Sequence, residues 1–242
     1  MATRTTAANG VDNNVWDLTS SRVVSASPTR RMLDRETILD AAFAVAEDAG
    51  HRGLTMRRVG AELGADPTAV YRHFRNKDEL ITAMADRLFG EVMASYPDGP
   101  WREGLRNGML MGRRVYQRHP GFAEALAATP DDTPNLERIA ERVLGLLRKA
   151  GLSDADAALF YQLIVNYVAG TGVFEALADE VGEEAWQDHT RRVYAALPPD
   201  RFPNCVALAP HLYPDPDLVF ETGAELLLDA IEARARRAQE GR

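Results

Sequence analysis

Cysteine is almost missing: Cys205 is the single one in 242 residues. That excludes an internal disulfide and any cysteine-based metal or redox spacing. Histidine is scarce too, with five in the chain and no pair at metal-ligand spacing. No run of eighteen apolar residues occurs, so no segment reads as membrane-spanning. The opening "MATRTTAANGVDNNVWDLTSSRVVSASPTRR" lacks an apolar stretch followed by a small-residue cleavage site, which argues against a secretory signal. A nucleophile elbow, a phosphate loop and a metal motif are all absent, so neither catalytic residues nor a cofactor or metal are expected. Carboxylate-rich stretches at 154–156 and 180–184 fall at helix starts, where acids favour the helix dipole. Strand-like alternation is missing throughout. The expectation is a soluble cytoplasmic protein with an all-α fold.

Apolar residues supply 45% of the chain, enough for a sizeable core. The net charge of −8, taken whole, argues against nucleic acid, but it is unevenly spread. Residues 1–85 balance eleven basic against eleven acidic side chains, so the whole excess lies downstream. A neutral head with clustered arginines on an acidic body is compatible with DNA binding by one end.

Residues 1–30 are rich in Ser, Thr, Asn and Ala without periodicity and read as a disordered arm. From Asp34 helical spacing sets in, running to Gly50. Thr55 caps a second helix that Gly64 ends. Asp66 caps a third, brief one from Pro67 to about Phe74, with Pro67 at the first position, where its missing N–H is harmless. Two short helices joined by a tight turn form the helix-turn-helix pattern. A longer helix runs from Lys77 to about Ser95. Further helices are expected at 101–118, 121–128, 134–149, 154–180, 184–196 and 217–237, with a proline-bearing loop at 198–216. The expected domains are the arm 1–30, a DNA-binding unit 31–80 and a helical unit 81–242.

In a helix-turn-helix the start of the second helix meets base edges. Pro67, Thr68 and Ala69 stand there with small surfaces, and Arg72 follows one turn on. Arg57, near the start of the preceding helix, adds a possible guanine contact. Tyr71, His73 and Lys77 suit phosphate oxygens, which position without reading sequence. Val70 and Phe74 belong to the core. Arg58 and Arg75 read equally well as solvated charges, and Arg30 and Arg31 as minor-groove or plain tail charges.

The run "TILDAAFAVAEDAGHRGLTMRRVGAELGADPTAVYRHFRNKDELI" resembles the DNA-binding domain of the TetR family of bacterial transcriptional regulators. The resemblance rests on Gly50, Gly53, Leu54 and Thr55, on Leu63 and Gly64, and on Tyr71, His73, Phe74 and Lys77. It implies phosphate contacts from Thr55, Tyr71, His73 and Lys77, and a groove-facing set of Arg57, Pro67, Thr68, Ala69 and Arg72. It further implies double-stranded operator DNA as partner, a homodimer, and a helical C-terminal domain that binds a small-molecule effector. The histidines with which tetracycline-binding members hold a metal chelate fall, in an ungapped register, near Met93 and Ala125, which argues against that mode here.

Two helices carry apolar residues on two sides, and a partner subunit is the simplest cover. On the helix at 154–180 one stripe is Leu159, Leu163, Tyr167, Gly170 and Phe174, and another Phe160, Ile164, Val168 and Thr171. On the last helix Phe220, Ala224, Leu227 and Ile231 form one stripe, and Val219, Leu226 and Ala230 another. A four-helix seam is expected from Leu163, Gly170, Phe174, Phe220, Ala224, Leu227 and Ile231. For an effector pocket the expectation falls on Asn107, Met111, Phe122, Gln162, Asn166 and Tyr167, with Met109 and Tyr161 among the neighbours; apolar walls with few polar groups suit an organic ligand. Residues 182–216 could cover its entrance. The functional expectation is a repressor released from its operator by a small organic molecule. A ligand-independent DNA-binding regulator and a helical enzyme are the alternatives.

Overall fold

The computed structural model describes residues 33–94, 96, 99–130 and 132–240. The N-terminal arm, with Arg30 and Arg31, lies outside the described residues. Asp34 opens α1 (Arg35–Gly53) by accepting the N–H of Thr37 at 2.8 Å. Its apolar stripe, Ile38, Leu39, Ala42, Val45 and Ala46, is buried. At Gly50 the backbone turns to φ 66°, a left-handed conformation that favours glycine, and α1 kinks there.

Thr55 caps α2 (Met56–Glu62), its Oγ1 accepting from the Arg58 N–H at 3.2 Å. Asp66 caps α3 (Pro67–Tyr71). This helix ends three residues before the expected Phe74. The turn beyond it still bonds to Val70, and Phe74 is fully buried. Gly60 permits the close pairing of α2 with α3: a Cβ there would lie 3.2 Å from Pro67 Cα.

From α4 (Lys77–Ala94), Leu80, Met84, Leu88 and Val92 enter the core. The chain continues through α5 (Trp101–Arg118), a 3-10 turn at Pro120–Phe122, α6 (Ala123–Ala127) and α7 (Pro134–Lys149). Thr133 gives α7 no side-chain cap. The cap comes from α4 instead, where the Asp86 carboxylate accepts the N–H of Asn135 at 2.7 Å and the Asp86 carbonyl accepts its side-chain amide at 2.9 Å.

Next come α8 (Asp154–Val181), α9 (Glu183–Ala195), α10 (Pro203–Leu208), a 3-10 turn at Ala209–His211 and α11 (Pro216–Glu240). The loop expected at 198–216 thus holds two short helical turns. Pro203 and Pro210 sit in their first turns, where proline is tolerated. No strand occurs among the described residues.

One core cluster runs from Ile38 to Ala235, so the expected boundary at residue 80 falls inside α4 and inside a shared core. Arg113 lies within it, 5% exposed, bound by Glu175 of α8 at 3.0 Å and Asp217 of α11 at 2.8 Å. By length and composition Asp154–Ala178 is apolar enough to cross a bilayer. Here it packs on α5 and α7 as the central helix of the body, yet only 22% of its most apolar stretch is buried.

Candidate nucleic-acid interface and ligand cavity

Of the residues expected at DNA, Thr55, Arg57, Thr68, Tyr71 and Arg72 are exposed, and Pro67, Ala69, His73 and Lys77 are half-buried. Tyr71 leaves 53% of its surface bare, unusual for an aromatic beside a small core. Two of these side chains, Thr68 and Lys77, and the backbone of a third residue, His73, have local work that the sequence does not announce. The Thr68 hydroxyl donates to Asp66 at 2.6 Å, holding the cap of α3. This bond, with the Thr68 N–H, keeps the Asp66 carboxyl below the usual carboxylate range. The His73 carbonyl accepts from Arg35 at 2.7 Å, and the same guanidinium lies 4.1 Å from the centre of the Phe74 ring.

Lys77, expected at a phosphate, also has a structural partner within the head. Its ammonium donates to the carbonyls of His51 at 3.0 Å and Arg52 at 3.4 Å. Carbonyls at a helix C-terminus lack the usual i+4 partner, and here the His51 carbonyl also accepts the Leu54 N–H at 3.3 Å; a cation there meets the negative end of the helix dipole as well. Lys77 therefore ties the start of α4 to the end of α1.

A mostly apolar cavity opens between α4, α5, α7 and α8, with about 660 Å³ of space free of protein atoms, its mouth included. Phe89 and Val92 come from α4, Met109 and Val115 from α5, Ile139 and Val143 from α7, and Ile164 and Val168 from α8. The polar side chains on its wall are three phenols, Tyr96, Tyr116 and Tyr161, and among the described residues no acid, base or amide lines it. Burial pushes the Tyr116 hydroxyl up to about 12 and that of Tyr96 higher still, so both stay protonated.

None of the six residues expected at the pocket reaches this cavity. Phe122 is fully buried elsewhere, its ring edge-on to Phe43 of α1 with centroids 5.8 Å apart. Gln162 donates to Asn166 at 2.8 Å on the exposed side of α8. Tyr167 stacks on Phe220 and donates to its carbonyl at 2.8 Å. Asn107 and Met111 are half-buried on α5 but do not line the cavity. The reason is that amides on an apolar helix can mark its wet face as readily as a pocket. Met109 and Tyr161, expected as neighbours, do line it.

A better signal lies in "GLRNGMLMG", where Gly104, Gly108 and Gly112 recur every fourth residue on one side of α5. A Cβ on Gly104 would press Leu146 at 2.9 Å, one on Gly112 would press Val168 at 2.8 Å, and one on Gly108 would overlap Tyr96. That bare stripe makes room for side chains from α7, α8 and the α4–α5 joint.

The expected seam also needs correction. Leu163, Gly170 and Phe174 are exposed on α8, Phe174 by 62%. On α11, however, Phe220, Ala224 and Ile231 are buried inside the protomer, and Leu227 is half-buried. The bare stripe there is the other one, with Leu218, Val219 and Leu226. Periodicity reveals two apolar stripes, but packing against α5 and α8 decides which one turns inward.

Near the positions expected for chelate-holding histidines, Met93 is half-buried and Ala125 buried. Among the described residues no cluster of three His, Cys, Asp or Glu side chains is arranged to hold a metal.

Comparison with known proteins matches both halves of the chain. Residues 38–84 match "Bacterial regulatory proteins, tetR family", and residues 94–235 match "Tetracyclin repressor-like, C-terminal domain". The HTH-type transcriptional repressor DrrR1 of Streptomyces coeruleorubidus is 30% identical over 90% of this chain and 83% of its own. The tetracycline repressor protein class C of Escherichia coli is 29% identical over 83% and 91%. Among solved structures, ActR of Streptomyces coelicolor in complex with actinorhodin superposes with TM-score 0.74 at 28% identity, covering 84% of this chain and 98% of that one. With a helix-turn-helix capped as its sequence dictates, a cavity in the helical body and relatives along nearly its whole length, the chain belongs to the TetR family of bacterial transcriptional regulators.

Proposed function

We infer that this protein is a DNA-binding transcriptional repressor released from its operator by a small organic molecule that enters the α4–α5–α7–α8 cavity. The observation that carries this is the span of one helix. Leu80 of α4 packs in the core beneath the helix-turn-helix, while Phe89 and Val92 of the same helix line the cavity. An object wedged against Phe89 and Val92 therefore bears on the element that positions α3. The relatives support the reading: DrrR1 and the tetracycline repressors are named repressors, and ActR has been solved with actinorhodin and with (S)-DNPA.

Residues 31–80 carry the DNA surface and residues 81–242 the cavity and subunit contact, with α4 belonging to both. The exposed stripes of α8 and α11 suit a second copy of the chain, since bare apolar helix faces of this extent are rarely left to water. In such a dimer the two α3 helices read half-sites about one helical turn apart, or a multiple of it. A shift of α4 then changes their separation and costs one half-site.

The test is to select duplexes from a random library with the purified protein, then titrate them with and without candidate ligands. Linkage requires a ligand that weakens DNA binding to be weakened equally by DNA, with a coupling of about 1–3 kcal/mol. Tight ligand binding that leaves DNA affinity untouched would rule out the switch.

A further inference from the structure

Tyr96 stands in the joint between α4 and α5, and its side chain lies back over α5 on the surface left bare by Gly108. A Cβ at position 108 would overlap both the phenol oxygen and the ring, so the ring sits flush on the helix backbone. This seat is part of the cavity wall, beside Tyr161, Val92 and Ile164. The pocket thus already holds an aromatic ring with one hydroxyl, supplied by a joint rather than by a helix.

Shape and charge together define what can replace it. Among the described residues no carboxylate, ammonium or guanidinium group lines the cavity, and the Arg142 guanidinium, which acts on the Tyr96 hydroxyl from beyond the lining, is already engaged, so an ion entering would lose its hydration without gaining a free partner. An uncharged ring loses little, because it regains the apolar contacts that the phenol gave up. Burial, with the neighbouring Tyr161 phenol adding to it and outweighing the opposing pull of the Arg142 guanidinium, holds the Tyr96 hydroxyl in its protonated form.

We propose that Tyr96 is a resident stand-in for the effector, and that the effector is an uncharged aromatic molecule bearing a hydroxyl group, whose ring takes the Gly108 seat when Tyr96 is expelled. This rests on the cavity being the effector site of the proposed repressor. A ligand that must first displace a side chain binds with its affinity reduced by the fraction of protein already open. Removing the ring of Tyr96 should therefore strengthen binding, the reverse of what loss of an ordinary contact residue does.

The probe is 2-naphthol, with 2-naphthoate as the same ring system bearing a charge. Calorimetric titration should show Tyr96→Ala binding 2-naphthol about tenfold more tightly than wild type, or better. Tyr96→Phe, which keeps the plug, should stay close to wild type. In Tyr96→Ala/Gly108→Ala the added methyl fills the seat, and the gain should be lost. 2-Naphthoate should bind none of the four proteins appreciably. Equal or weaker 2-naphthol binding by Tyr96→Ala overturns the proposal, as does undiminished binding by the double variant or preference for 2-naphthoate. Should Tyr96→Ala not fold, Tyr96→Leu keeps apolar volume at the joint without a ring and gives the same comparison. DNA affinity of the wild type under saturating 2-naphthol reports separately on the repressor reading. Ring binding that leaves DNA affinity unchanged would keep the role of Tyr96 and remove effector control.

Discussion

Gly121 lies so close to Ala46 that a Cβ on it would come within 3.0 Å of the Ala46 carbonyl carbon and of the Glu47 Cα, and closer still to the carbonyl oxygen. The turn before α6 is thereby pressed directly on α1. The Gly121 N–H donates to the Glu47 carboxylate at 3.3 Å, His119 meets the same carboxylate at 3.2 Å, and Arg52 reaches Glu124 at 3.0 Å. This is a second bridge from the helical body to the DNA-binding head, independent of α4. Gly121→Ala must push α1 away, since the facing atoms are backbone and cannot swing aside. We expect a loss of stability of about 1–3 kcal/mol, as for overpacking in a core. DNA affinity should fall with it, and an unchanged melting temperature would show that the two surfaces are not held this tightly.

At the DNA surface, Arg57 and Lys77 should behave differently. Arg57 is exposed and makes no side-chain bond to the described residues, so Arg57→Ala should leave folding intact while relaxing preference at one base position by about 1–3 kcal/mol. Lys77→Ala removes the cation from the end of α1 and should cost about 1 kcal/mol of stability as well as DNA affinity. Melting curves beside titrations on selected and random duplexes separate the two. A Lys77→Ala protein that melts like wild type would return Lys77 to the role of a simple phosphate contact.

Helix ends were legible in the sequence because caps are local chemistry. Asp34, Thr55 and Asp66 each accept a backbone N–H within three residues of themselves. The cavity was not, because it is made by distant partners: nothing near Tyr96 says that its ring will rest on Gly108. Nor could the sequence choose between the stripes of α11, one carrying Phe220 and the other Leu226, since the difference lies in what α5 and α8 present to them. The glycine repeat on α5 was the one readable mark of the cavity, and it signals close approach without saying what approaches.

Exposed apolar stripes make a definite forecast for assembly. Phe174→Glu on α8 and Leu226→Glu on α11 each place a charge on a surface that is bare in the protomer, so neither should disturb the fold. Buried in a subunit contact, each charge would lack a partner and drive dissociation. Sedimentation at micromolar concentration should show a dimer for the wild type and monomers for both variants. Dimers persisting in both would move the subunit contact elsewhere, to a surface such as α9 and α10, where Val193 and Leu208 are also exposed.

Arg113 should be the most sensitive charged residue of the body. It is bound on one side by both carboxylate oxygens of Glu175 and on the other by Asp217, with its guanidinium 4.8 Å from the centre of the Phe220 ring. Arg113→Met leaves the shielded Glu175 carboxylate without its cation, a loss of about 3–5 kcal/mol when one member of a buried pair is removed. The double change Arg113→Met/Glu175→Leu removes both charges and should recover much of that loss. If the single and double variants are equally unstable in chemical denaturation, packing at this junction matters more than the pair.

Tyr116 makes the fold sensitive to alkali. The residue is 6% exposed, and its ring fits against Gly172, where a Cβ would stand 2.6 Å from the Tyr116 Cβ. Burial holds its hydroxyl near 12, against 10.0 for a free tyrosine. The folded state thus keeps a proton that the unfolded chain surrenders first. The resulting stabilisation is fully present below about pH 10 and is lost as pH rises through about 12; at about 1.36 kcal/mol per pH unit the loss approaches roughly 3 kcal/mol. Tyr96, pushed up in the same direction, adds to the slope and remains in any Tyr116 variant. Tyr116→Phe should therefore flatten the fall of melting temperature between pH 10 and 12 without abolishing it. Identical pH profiles for the variant and the wild type would mean that the phenol reaches water in solution and that the cavity wall opens there.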